Sequence, residues 1–120
     1  ANLYAAYTTT TPTNAAGGLE PGVGGYARVA IPSTLAGWTP TQGGLTEDPS
    51  SGTDGRIANQ ALVEFPAPTA DQGVATHGEL LDAIVAGNLM FWRALGAPKS
   101  IVAGSSLPLF GQNAIGITWA

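Results

Sequence analysis

The chain has 120 residues, and 17 glycines with 9 prolines place 26 of them among the residues that break regular elements, which argues against a helical bundle. Eight acidic and four basic side chains give a net charge of −4; the bases at 28, 56, 93 and 99 are too scattered to track a phosphate backbone, so no nucleic-acid partner is expected. The absence of cysteine removes disulfides, thiolate catalysis and cysteine-based zinc sites.

The apolar fraction, 44 %, is inflated by 20 alanines; Leu, Ile, Val and Phe together number 26. One domain spanning 1–120 with a thin core is expected, helped by subunit contacts. Residues 1–19 and 100–120 carry no charge at all. Such a surface either faces other protein or is a neutral coat of Thr, Ser and Gly. No apolar run reaches the 18 residues of a membrane span, and no signal peptide is expected at the N-terminus.

Strand patterns dominate. Asn2 to Thr10 alternates, with Leu3, Ala5 and Tyr7 on one face and Tyr4, Ala6 and Thr8 on the other. A loop opens at Thr11-Pro12-Thr13-Asn14 and runs through Gly17-Gly18 to Gly24-Gly25. Tyr26 to Ile31 alternates again, with Ala27, Val29 and Ile31 together, and Pro32 ends its pairing. Residues 33–55, broken by Pro40, Gly43-Gly44, Pro49, Gly52 and Gly55, read as one long excursion carrying Trp38, Leu45, Glu47, Asp48 and Asp54. A strand from Gly55 to Phe65 follows, with Ile57, Ala61, Val63 and Phe65 on one face. Two more are expected at Lys99 to Ala103 and Ala114 to Ala120, the latter with Ile115, Ile117 and Trp119 on one face.

Residues 76–96 support two readings. Thr76 with Glu79 fits a capping box, Leu81, Ile84, Val85, Leu89, Trp92 and Leu95 fall near one helical face, and Gly96 would stop the helix. The rival is a hairpin, Val74 to Asp82 and Leu89 to Leu95, turning at Ala86-Gly87-Asn88. Local pattern alone favours the helix.

Little here suggests catalysis. His77 is the single histidine, so a triad has one possible base, with Asp71, Glu79 or Asp82 beside it and Ser105-Ser106 as nucleophile; no nucleophile-elbow motif accompanies them. His77 with Glu79 gives two metal ligands where an affine site needs more. Gly22-Val23-Gly24-Gly25 lacks the Lys-Ser/Thr of a phosphate loop, and Glu47, Asp48 and Asp54 do not match calcium-loop spacing. No enzyme activity, cofactor or metal is expected. Tyr7, Trp92 and Trp119 are assigned to the core; Trp38, in a Gly/Pro-rich stretch, is a candidate for packing on a neighbour.

Several blocks, in order, resemble a family of small tailed-bacteriophage virion proteins: Leu3-Tyr4-Ala5-Ala6-Tyr7-Thr8 with Thr11-Pro12-Thr13-Asn14, Gly24-Gly25-Tyr26-Ala27-Arg28-Val29, Val63-Glu64-Phe65-Pro66-Ala67, Thr69-Ala70-Asp71, Thr76-His77, Leu81-Asp82-Ala83, Gly87-Asn88-Leu89-Met90, and Pro98 to Gly104. The resemblance implies a single antiparallel β-sandwich of jelly-roll type with long Gly/Pro-rich loops and little helix. It implies strands at 74–82 and 88–95, and the hairpin is adopted on that ground. It further implies a capsid decoration, or cement, protein that binds the major capsid protein as a homotrimer on the virion surface, made in the host bacterial cytoplasm. The alternative is a small tail-fibre or baseplate protein that grips a host receptor or glycan through Trp38, Gln42, Glu47, Asp48 and Asp54. The residues expected at protein contacts are Asn2, Leu3, Trp38, Leu45, Ile117 and Trp119. The stretch 33–55 departs from the family pattern, and Gln72 stands where an aromatic is expected.

Overall fold

The computed structural model describes residues 2–34, 37–38, 56–104, 107–111 and 114–118. Apart from 33–34 and 37–38, the expected excursion at 33–55 lies outside them. The described residues form eight strands and no helix: β1 (Asn2–Thr8), β2 (Val29–Pro32), β3 (Arg56–Ala58), β4 (Val63–Glu64), β5 (Gly73–Leu81), β6 (Leu89–Ile101), β7 (Leu109–Phe110) and β8 (Gly116–Thr118). They pair antiparallel into a four-stranded sheet of order β2-β1-β5-β6 and two small sheets, β3-β8 and β4-β7. The fold is all-β, as composition and resemblance both imply.

β1 lies inside its sheet and is covered on both faces. Ala5 and Tyr7 turn to the hydrophobic core, where Ile31, Trp38, Val63, Phe65, Ala75, Leu80 and Ile101 meet them. The core is aromatic: the Tyr7 ring sits edge-on to Tyr26 at 4.9 Å and to Phe65 at 4.7 Å, and Phe65 is edge-on to Phe110 at 5.8 Å. Each such pair contributes about 1 kcal/mol beyond its buried area. Ala6 and Thr8 face the other way and are also fully buried. They are covered by the loop after β1, which folds back through Thr9 N–H to Leu19 O (2.9 Å) and Leu19 N–H to Thr10 Oγ1 (2.7 Å). Gly18 permits that approach, because a Cβ there would stand 2.5 Å from the Thr10 carbonyl oxygen and 2.8 Å from Thr8 Oγ1.

The hairpin, not the helix, occupies 76–96. β1 offers a ladder from Tyr4↔Leu81 to Thr8↔His77, and the tip uses left-handed backbone at Ala86 (φ 54°) and Gly87 (φ 77°), which no helix interior takes. The would-be helical stripe is split: Leu81 is buried, Leu89 and Leu95 are half-buried, and Ile84, Val85 and Trp92 are exposed. The strands expected at 88–95 and 99–103 are one strand, β6, whose register against β5 shifts twice, first at Met90, which has no opposite residue between Leu81↔Leu89 and Leu80↔Phe91. His77 pairs with Ala94 and Ala75 with Lys99, so residues 95–98 stand opposite Thr76 alone.

Several boundaries differ from the pattern reading: β1 ends at Thr8 and not Thr10, and β8 starts at Gly116 and not Ala114. The strand expected from Tyr26 starts at Val29, because Tyr26 leaves the ladder to join the core aromatics. The run from Gly55 to Phe65 breaks into β3 and β4 around Asn59, which is fully buried and whose side chain bonds to Ala61 O, Gly111 O and Ile115 N–H. β7, two residues long, has no pattern of its own and exists through pairing with β4.

Candidate interaction surface

Beside the core, from which the Tyr26 hydroxyl reaches out, a polar cluster ties three segments together. Arg28 grips Glu20 with two near-parallel bonds, Nε to Oε1 at 2.9 Å and Nη2 to Oε2 at 2.6 Å, and its Nη1 donates to the carbonyls of Ala83 and Ala86, both at 2.7 Å. Tyr26 donates its hydroxyl to Glu20 Oε1 at 2.6 Å. Burial opposes the Glu20 carboxylate, but the bonds from Arg28 and Tyr26 outweigh it and hold its pKa below the ordinary value. Burial first, and the carboxylate it touches second, push the Tyr26 phenol far above its ordinary value. Arg28 thus fixes the tip of the β5–β6 hairpin, including its left-handed Ala86.

Glu79 lies beside this cluster and is 4 % exposed. Its Oε1 accepts the Gly18 N–H at 2.5 Å; Oε2 has no partner among the described residues. Burial raises its pKa, with Glu20 adding to the rise while the Gly18 bond, Arg28 and His77 oppose it. The residue read as a capping-box acid therefore pins the 9–20 loop to the sheet. A groove of about 550 Å³ opens here between residues 14–18 and the hairpin tip, lined by Glu20, Arg28 and Glu79.

The hairpin's outer side is apolar. Ile84 and Val85 at the tip are 60 % and 78 % exposed, and Met90 and Trp92 stand out from β6. Trp92, assigned to the core by type, is on the surface, its ring 5.8 Å from His77. Along the other side of β6 runs a groove of about 420 Å³ walled by Phe91, Arg93, Leu95, Phe110 and Ala114–Gly116.

His77 is half-buried, with Nδ1 2.8 Å from Thr76 Oγ1. No triad forms among the described residues: Asp71 accepts the Ala103 N–H, Asp82 holds Asn88, and Glu79 holds Gly18. Nor do three or more metal-ligating side chains cluster among them. Ser105-Ser106 and the acids Glu47, Asp48 and Asp54 lie outside the described residues, as does Gln42.

Of the contact residues expected from sequence, Asn2 is exposed at the start of β1, opposite Pro32. Leu3 and Ile117 are half-buried and pack against the core. Trp38 is 7 % exposed and belongs to the core, bridged to Asn59, so little of it is left for a neighbour. Leu45 and Trp119 lie outside the described residues. Gln72, where an aromatic was expected, is buried and accepts the Tyr7 hydroxyl. Met90, Ile84 and Val85 escaped the pattern reading, because apolar type alone argued for burial; the turn at Ala86-Gly87-Asn88 was the available sign that they flank a tip.

Compared with family models, the chain matches along residues 1–118 the model described as Podophage GP4 fiber I protein gp80. No curated protein matches it.

Proposed function

Because the chain belongs to the podophage GP4 fiber I protein gp80 family, and is therefore a structural protein associated with the phage virion, we propose that it serves in the fibre and works by protein contact, without catalysis. The observation that carries this reading is the family match over 118 of 120 residues. The surface supports it: large apolar side chains stand exposed on the β5–β6 hairpin of a chain with few charges, a combination suited to contact with other protein. The cement reading, with trimers seated on the major capsid protein, would use the same surface. Position and copy number separate the two. Cryo-EM of the native particle with quantitative densitometry is expected to place the chain in the fibre at low copy number. Trimers spread over the head lattice at high copy number would overturn the fibre reading and leave the cement reading in its place.

A further inference from the structure

We propose that residues 14–18 form a latch over the side of β1 that carries Ala6 and Thr8, shut while the Glu79 carboxyl holds its proton and released when that carboxyl ionises. Glu79 is 4 % exposed, with Ala6 opposite it on β1 and Trp92 opposite it on β6. Its Oε1 accepts the Gly18 N–H, and Oε2 is sealed from solvent with no partner among the described residues. The loop backbone lies against both oxygens: a Cβ added to Gly17 would stand 3.0 Å from Oε1 and 3.1 Å from Oε2. Among the described residues, the Gly18 bond is the one hydrogen bond that joins 14–18 to the sheet. Residues 13–17 are all exposed, and the bonds between Thr13 and Ala16 are internal to the loop. A segment so lightly held opens locally, while the bonds of Thr9 and Thr10 to Leu19 keep its neck in place.

The charges around Glu79 oppose its ionisation in place. From the loop, Glu20 brings negative charge. Arg28 stands nearby, but its guanidinium is bound to Glu20 and to the carbonyls of Ala83 and Ala86. His77 is two residues along β5 on the same side, opposite Thr8. Ala6 and Thr8 on β1 and Trp92 on β6 carry no charge. No ion pair reaches Glu79 among the described residues. An anion here would have one N–H for two oxygens, an arrangement that buried charges avoid. Burial first, with Glu20 adding to it, raises the pKa by more than Gly18, Arg28 and His77 lower it. The shut form is therefore favoured below that raised value and gives way as pH rises through it. Opening brings both oxygens to water and widens the groove of about 550 Å³ beside the hairpin tip. It also uncovers Thr8, against which Gly18 now packs.

Amide exchange of the whole chain at about pH 5 and about pH 8 tests this, each rate divided by that of an unstructured peptide at the same pH. In the parent, opening at Gly18 should increase about tenfold between the two, the factor that one pK unit of linkage gives, while residues 4–8 and 77–81 stay protected. In Glu79→Gln, whose amide accepts the Gly18 N–H without ionising, Gly18 should stay shut at both. Glu20 and His77 are present in both proteins, so the comparison isolates Glu79. The carboxyl-carbon resonance of Glu79 should titrate above 4.5, in step with the opening. The proposal is overturned if the parent opens equally at both pH values, or if the variant responds to pH as the parent does. Loosening of β1 and β5 in step with Gly18, or a carboxyl that titrates without the opening, would overturn it too.

Discussion

Glu79 carries a carboxyl that is buried, half-satisfied and raised above its ordinary value of 4.5. Its folded form therefore keeps the proton at pH values where the unfolded chain has released it. The stability tied to this group is fullest below 4.5 and declines as pH rises through the folded value. Glu20 has the opposite sign: its contribution is present above 4.5 and is lost as pH falls through its lowered folded value. Between these, Glu79→Gln should flatten the decline, because an amide can accept the Gly18 N–H without ionising. Thermal melts at about pH 5 and about pH 7.5 check this: the parent should lose more stability than the variant on going up. Parallel losses in both proteins would dismiss Glu79 as the source.

At the scale of elements, Arg28 and Asn59 do the joining. Asn59→Ala would strand the carbonyls of Ala61 and Gly111 and the N–H of Ile115 in a buried place, costing about 3 kcal/mol. Chemical denaturation measures it directly, and a loss under about 1 kcal/mol would mean that water replaces the side chain there. Arg28→Ala acts on the hairpin tip. Asp82 still closes the turn on Asn88, through Oδ1 to N–H at 2.6 Å and Oδ2 to Nδ2 at 2.8 Å, but the Ala83 and Ala86 carbonyls lose their donor. Amide exchange at residues 83–88 should quicken about tenfold while β1 and β5 stay protected. Uniform quickening would instead assign Arg28 to global stability.

These joints also explain how far the sequence could be read. The two faces of β1, the end of β2 at Pro32 and the all-β class follow from period-two alternation and the Gly and Pro content. The hairpin at 76–96 needed the family resemblance, since a capping box and a helical stripe were both present in the residues. What decided it physically is β1, whose ladder groups need a partner some 70 residues away, a distance no local pattern spans. The site was less legible. Trp38 and Trp92 exchanged their expected places because burial of a large apolar side chain depends on which sheet covers it, and β7, the strand that carries Phe110 into the core, is too short to announce itself.

For the molecule as a whole, both faces of the first strand are closed over by later sequence. Tyr7 pairs with Gly78, 71 residues further on. A ribosome adding about 5–20 residues per second would leave that strand without its partner for roughly 4–14 s. During that interval Leu3, Tyr4 and Tyr7 are uncovered, within reach of holding chaperones and of other nascent chains. Chains stalled on the ribosome with β5 still in the exit tunnel should be cut by chymotrypsin after Tyr4 and Tyr7, and chains stalled through a C-terminal extension long enough to bring β5 and β6 out of the tunnel should resist. Equal resistance at both stages would show that the strand is sheltered by something other than its sheet.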